Sequence, residues 1–236
     1  MVCAIMQPTY LPWLGYFDLI RNVDLFVIYD HVQFEKRSWQ QRNKILLQGN
    51  ELILTVPVIS KSKYFQSIRE VEIDETQHFV NKHLNSIKAA YSKSKNFNMI
   101  YGELTNIYKQ NHKLLSEINL DLIDLGMRYL SIKSKLLFSS SLNIETQKVN
   151  ALIDICKKIG ANKYLSPVGS KIYIDENNIF PENNIELSYQ KFSYPVYKQL
   201  NSKNFTSHLS FIDYLFNVDL VEASSFGSYK TNYKNE

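Results

Sequence analysis

The sequence predicts an α/β protein with an open, mostly parallel or mixed sheet and flanking helices. Its short apolar runs are continuous, not alternating, and this is typical of strands that are covered on both faces. The first unit, a βαβ arrangement, consists of the apolar runs 2–6 and 25–30 with a short helix in 14–22 between them. The connection is long enough for a right-handed crossover between parallel strands.

A β-hairpin is predicted next, because two apolar runs flank the turn sequence "QGN" at 48–50. Helical spacing of apolar residues then predicts helices at 77–93, 99–125 and 148–159, with Gly126 and Gly160 as C-caps, and a short last helix within 207–217. The remaining apolar runs predict strands at 67–73, 134–140, 163–167 and 185–192.

Length and composition favour one globular domain, 1–236, with a frayed tail at about 227–236. A net charge of +4 is too mild to favour nucleic-acid binding. Cys3 and Cys156 are expected in the core, and no zinc-type spacing occurs, so no metal site is predicted. Without a signal peptide or an 18-residue apolar stretch, we predict a cytoplasmic location and no membrane span.

Polar residues follow the first two predicted strands. Gln7 comes after the first, and Asp30, His31 and Gln33 end or follow the second. Because ligands bind outside the carboxyl ends of parallel strands, these residues predict a shared crevice.

The stretch "QPTYLPWLGYF" would roof this crevice, since its two prolines stiffen a loop rich in aromatic rings. Tyr10, Trp13 and Tyr16 are the predicted stacking surfaces for a flat or sugar-like group. The alternative is that Trp13 and Phe17 only fix the loop to the core.

The segment "EKRSWQQRNK" (35–44) carries four cations against one carboxylate. Beside a crevice it predicts an anion clamp for a diphosphate, and the alternative is a solvated surface. The binding residues predicted here are Lys36, Arg37, Ser38, Arg42 and Asn43. A second anion contact is predicted at Gly169 and Ser170, in a small-residue turn that is otherwise an ordinary connection.

Several long motifs resemble the WbqC-like family of bacterial proteins. They are "MQPTYLPWLGYFDLI", "DLFVIYDHVQFEKRSWQQRNKI" and "LTVPV", followed by "GANKYLSPVGSKIYI" and "SFIDYLFN". The resemblance covers almost the whole chain and implies a role in surface-polysaccharide pathways such as O-antigen or lipopolysaccharide biosynthesis.

We predict that the protein is a transferase. The chain lacks a P-loop and a GxGxxG motif, and its first loop has no histidine, so no ATP, metal or other cofactor is predicted. Asp30 or His31 would act as the base, with Gln7 orienting the substrate. The substrates would be a nucleotide-diphosphate amino sugar and an acyl or aminoacyl thioester on coenzyme A or a carrier protein. The alternatives are a non-catalytic sugar-binding partner of the pathway and, from the Lys, Arg and Tyr content, an RNA-binding protein.

Overall fold

The computed structural model of the chain describes residues 1–61, 63–174, 179–200 and 202–227. It contains a five-stranded sheet and a separate two-stranded hairpin. The strands are β1 (Val2–Met6), β2 (Leu25–Ile28), β3 (Arg42–Leu47), β4 (Asn50–Thr55), β5 (Lys135–Phe138), β6 (Lys163–Ser166) and β7 (Glu186–Tyr189).

The five-stranded sheet has the order β5-β2-β1-β6-β7, and each neighbouring pair is parallel. The chain therefore moves outward from β1 through β2 to β5, returns to the other side of β1 at β6, and ends at β7. This reversal makes the gap between β1 and β6 the topological switch point of the sheet. The predicted α/β class and the parallel pairing of the first two strands are confirmed.

Alternate residues of the central strands enter two different cores. Ala4 and Phe26 belong to the larger core, whereas Cys3, Ile5 and Val27 belong to the smaller one on the opposite face. Burial on both faces explains why these strands are continuous apolar runs in the sequence.

The helices divide between the two faces. They are α1 (Leu14–Arg21), α2 (Phe79–Tyr91), α3 (Phe97–Tyr108), α4 (Leu115–Tyr129), α5 (Lys148–Ile159), α6 (Lys171–Ile174), α7 (Ile179–Glu182), α8 (Phe211–Asn217) and α9 (Leu220–Ser224). Helices α1 to α4 and α8 contribute to the larger core, and α5 covers the other face. Cys156 on α5 lies 3.6 Å from Cys3, sulfur to sulfur, and both are fully buried, as the sequence predicts.

The hairpin β3–β4 closes through two residues, Gln48 and Gly49, and Leu47 already pairs with Asn50. Both loop residues have positive φ, 51° and 78°. This is the backbone of the two-residue turns that match the natural twist of a hairpin.

Two predicted elements are wrong. The single helix predicted at 99–125 is two helices, and Gly126 lies inside α4 instead of ending it. The strand predicted at 67–73 contains a turn of 3₁₀ helix at Ile68–Glu70, because Ser67 and Glu70 form a capping box there. Local capping therefore overrides the alternation of apolar residues.

Across the residues described, we find no helix both long and apolar enough to cross a bilayer. The tail predicted as frayed falls almost wholly on 228–236, which is outside the described residues.

Candidate functional site

A cavity of about 380 Å³ opens at the carboxyl ends of β1 and β6, at the switch point of the sheet. The loop 35–40, before β3, and the start of α5 complete its wall. Its polar lining residues are Gln7, Thr9, Glu35, Ser38, Gln40 and Lys148, and its aromatic ones are Tyr29, Trp39 and Tyr164. We call this space the switch-point cavity. Its size and mixed lining are typical of small-molecule sites, which span roughly 300–1,000 Å³.

Gln7 is held in place from one side only. Its Oε1 accepts a 2.8 Å hydrogen bond from Nε2 of the buried Gln40, whose own Oε1 accepts from the backbone N–H of Glu35. The Gln7 Nε2 group finds no acceptor among the residues that the structure describes. Gln7 therefore presents an oriented amide donor at the cavity wall.

Thr9 supplies a second polar group to the same wall. Its hydroxyl is buried and has no hydrogen-bond partner within the described parts of the chain. Buried polar atoms in proteins are almost always paired, so this hydroxyl is available to a water or a bound molecule in the cavity.

The cavity carries one carboxylate and one ammonium group among its lining residues, Glu35 and Lys148. Lys148 begins α5 with φ at +55°, in the left-handed region that side chains other than glycine rarely adopt. Such strained backbone is concentrated at functional sites.

Trp39 forms an aromatic edge to the cavity. Its side chain is 49% exposed, and the cationic ends of Arg42 and Lys44 lie 6.0 and 5.9 Å from the ring centroid. Trp39 was not among the residues predicted from the sequence, because the prediction for this segment rested on its four cationic residues. An exposed tryptophan inside a basic segment is the signal that could have found it.

Asp30 lies at the junction of β2 and β5, and it is buried and fully engaged. Its carboxylate accepts hydrogen bonds from the Ser139 hydroxyl and from the hydroxyl and backbone N–H of Ser140, at 2.9, 2.7 and 2.9 Å. This pattern fixes the turn after β5. It does not leave the carboxylate open to a substrate as the sequence analysis expected.

His31 is linked to the same group. Its Nδ1 lies 2.7 Å from the Ser139 hydroxyl, whose proton is already given to Asp30. The imidazole therefore donates through Nδ1, and Nε2 keeps its lone pair. Burial lowers the pKa of His31, and Arg69 adds to this effect while Asp30 opposes it. The ring contacts Tyr29, and Tyr29, unlike His31, lines the switch-point cavity.

The side chain next to Gln7 is Tyr29 and not Asp30, because of strand register. Met6 pairs with Ile28, so Gln7 and Tyr29 follow as neighbours that point to the same side. The expectation that Gln7 and Asp30 share one crevice is therefore not what the structure shows.

The rings of the opening stretch pack into the protein. Tyr10 and Tyr16 are 0% and 1% exposed, and Tyr10 bonds through its hydroxyl to His83 and Tyr108. Trp13 lies against Phe192 and His208 and does not line the switch-point cavity. The predicted pocket roof is corrected to core packing, which was the alternative considered for Trp13.

The predicted anion clamp is divided. Ser38 lines the switch-point cavity, whereas Lys36 and Arg37 line a second cleft that borders the same loop. Arg42 lies beside Trp39. Asn43 is buried and donates to the carbonyls of Tyr10 and Leu11, which gives it a structural role.

The other predicted binding residues also lie apart from the cavity. Gln33 is exposed and donates to the Tyr64 carbonyl. The Ser170 hydroxyl bonds to that of Ser166 and donates to the Pro167 carbonyl, and Gly169 is exposed. From this turn, Pro167 reaches the cavity.

Fold and cavity together define an α/β protein with a polar pocket at the switch point of a parallel sheet. The chain belongs to the WbqC-like protein family, whose model matches residues 7–224. An uncharacterized protein of Mycobacterium tuberculosis, Rv1507c, is 36% identical over 217 residues, which cover 91% of this chain and 93% of that relative. No solved structure matches the chain significantly.

Proposed function

We propose that this protein is a transferase of bacterial surface-glycan biosynthesis that acylates or aminoacylates the amino group of a nucleotide-linked amino sugar. The observation that carries the proposal is the switch-point cavity, where an amide donor, an unpaired hydroxyl and a carboxylate meet beside an exposed tryptophan ring. The resemblance of the chain's motifs to the WbqC-like family supplies the pathway.

The sugar and its amino group would occupy the cavity, with Trp39 as the flat surface for a ring of the substrate. In the reaction, the amine nitrogen attacks the thioester carbonyl and forms the C–N bond. The C–S bond then breaks, the sulfur leaves with the electron pair as a thiolate, and this thiolate takes up the proton that the new amide nitrogen releases. The carbonyl oxygen gains negative charge during this step, and the Gln7 amide and Thr9 hydroxyl are donors suited to stabilise it.

Glu35 is the group we assign to take the ammonium proton. A general base must first lie within reach of the proton that it takes, and Glu35 lines the cavity whereas His31 does not. Asp30 is less suited, since three hydrogen bonds already occupy its carboxylate.

A non-catalytic sugar-binding protein is the second candidate. The specific observation in its favour is that both bases predicted from sequence, Asp30 and His31, are bonded to Ser139 at the β2–β5 junction and stand outside the cavity lining.

Amide formation from an amino-sugar nucleotide and a panel of acyl and aminoacyl thioesters tests the proposal. Glu35→Gln should lower turnover by about 10²-fold or more while the sugar nucleotide still binds. Glu182→Gln, at an exposed position on α7, is the matched control and should keep wild-type turnover. Binding of the sugar nucleotide without turnover of any donor would favour the second candidate.

A further inference from the structure

A second cleft, of about 620 Å³, is bordered by the same loop that closes the switch-point cavity. Lys36 and Arg37 come from that loop, Lys61 from the segment after β4, and Lys82 from α2. We call this space the basic cleft.

The four cationic side chains of the basic cleft do not stabilise the fold through ion pairs with the described residues. None of them forms an ion pair with any residue in the described part of the chain, although eight such pairs or networks use other basic side chains there. Four unpaired cations in one concave surface repel each other, and a bound polyanion relieves that repulsion.

One carboxylate, Asp74, lines the same cleft, but its oxygens are occupied. They accept hydrogen bonds from the backbone N–H and hydroxyl of Thr76 and from the Gln77 amide, and these bonds lower the pKa of Asp74. The carboxylate caps the short 3₁₀ turn at Glu75–Gln77 and does not approach the cations as a salt-bridge partner.

Arg37 is held in an unusual backbone conformation. Its φ is +64°, and its N–H donates a 2.8 Å hydrogen bond to Oε1 of Gln41, whose Nε2 is in turn bonded to the Val56 carbonyl. Gln41 is itself 4% exposed and lines the cleft. A buried amide thus holds Arg37 in the left-handed backbone region, at the edge of the cleft.

The cleft also reaches the beginning of α2, a helix of 13 residues. Its N-cap residue, His78, makes no side-chain capping hydrogen bond. The first N–H groups of a helix are donors that favour an anion, and Phe79 in the first turn of this helix lines the basic cleft.

We propose that the basic cleft binds a diphosphate group, and it does so as the phosphate site for one of the two substrates in the proposed function. Lys36, Arg37 and Lys82 contact the phosphate oxygens, with Arg37 donating through its forked guanidinium. The loop 35–41 contributes residues to both spaces. A substrate that passes over this loop places its phosphates in the basic cleft and its reacting group in the switch-point cavity. The inference rests on the proposed function for the identity of the substrate.

Calorimetric titration with three probes tests the cleft: inorganic pyrophosphate, uridine diphosphate and coenzyme A. At least one probe should bind wild-type protein, with an affinity that falls as salt is raised. Arg37→Gln and Lys82→Gln should each lower the affinity for that probe by about 10-fold or more, as expected for a lost charge-assisted hydrogen bond. Lys88→Gln, at an exposed position on the same helix, is the control and should change affinity less than about twofold.

The probes also identify the source of the diphosphate. Tighter binding of uridine diphosphate assigns the cleft to the nucleotide sugar, and tighter binding of coenzyme A assigns it to the acyl donor. Binding of no probe, or equal losses in Lys82→Gln and Lys88→Gln, overturns the proposal.

The experiments test the diphosphate site and the transferase reaction independently of each other. Intact probe binding together with no turnover of any thioester by wild-type protein would contradict the transferase and leave the cleft standing. Unchanged probe affinity in Arg37→Gln and Lys82→Gln, with normal turnover, would overturn the cleft alone.

Discussion

Nε2 of Gln40 donates a 2.8 Å hydrogen bond to Oε1 of Gln7, and this contact joins the loop before β3 to the end of the first strand. The same loop is anchored by Asn119, which donates from α4 to the Gln40 carbonyl. The wall between the switch-point cavity and the basic cleft is therefore fixed by buried amides and not by apolar packing alone.

Removing that amide should loosen the wall. Gln40→Ala leaves Oε1 of Gln7 and the N–H of Glu35 without their partner, so we expect a loss of about 1–3 kcal/mol in the free energy of unfolding. Urea denaturation measures it. Gln110→Ala, at an exposed position, is the control, and an equal loss in both variants would contradict a role for Gln40 in holding the loop.

Asp30 should matter for folding. In the wild-type protein the Ser139 and Ser140 hydroxyls donate to different oxygens of the Asp30 carboxylate. The side chain in Asp30→Asn has only one oxygen, so one of these hydrogen bonds is lost. We therefore expect the free energy of unfolding to fall by about 1–3 kcal/mol. Asp124→Asn, which breaks an exposed i,i+4 pair with Arg128, should cost less than about 0.5 kcal/mol. Thermal unfolding of the two variants compares them, and a wild-type melting temperature in Asp30→Asn would refute the structural role.

Gly126 marks a close approach of two elements. A Cβ there would lie 2.2 Å from the ring of Phe17, which is fully buried. Gly126→Ala should therefore destabilise the protein by about 1–3 kcal/mol. Gly102→Ala is the matched change in α3, where a Cβ meets no atom within 4 Å, and there we expect stabilisation of about 0.5–1 kcal/mol. Chemical denaturation with the opposite ranking would contradict this packing.

His83 should make stability depend on pH. Burial lowers its pKa from 6.5 to about 4, and hydrogen bonds to Tyr10 and to the Thr55 backbone hold the ring. Because the unfolded chain binds the proton first, stability falls as the pH drops from about 6.5 to about 4. Between pH 7 and pH 5, protonation of His83 in the unfolded chain should lower the free energy of unfolding by about 2 kcal/mol.

Replacing the imidazole should remove that part of the pH dependence. We expect a smaller difference between urea midpoints at pH 7 and pH 5 in His83→Gln than in wild-type protein. His78→Asn, at an exposed histidine whose left-handed backbone suits asparagine, is the control. An unchanged pH profile in His83→Gln would show that His83 titrates alike in both states.

Much of the sheet could be predicted because short continuous stretches of sequence determine its strands and its hairpin turn. Continuous apolar runs at 2–6 and 25–30 reflect burial on both faces, and the turn at Gln48–Gly49 follows from backbone preferences of two residues. Gln7 was predicted from its position after a strand end, and it lines the switch-point cavity.

The rest of the site depends on side-chain direction and on contacts far apart in sequence. One residue of register places Tyr29 and not Asp30 beside Gln7. The aromatic loop looked like a pocket wall, but its partners, Phe192 and His208, are more than a hundred residues away. Lys148, which joins the cavity from α5, has no sequence signal that connects it with Gln7.

A crystal structure of the protein with a nucleotide-linked amino sugar tests the assignment of the switch-point cavity as the substrate site. We predict the sugar in the switch-point cavity, with an acceptor oxygen about 3 Å from Nε2 of Gln7 and a ring against Trp39. A sugar bound elsewhere, with Gln7 and Thr9 uncontacted, would contradict the assignment of this cavity as the substrate site.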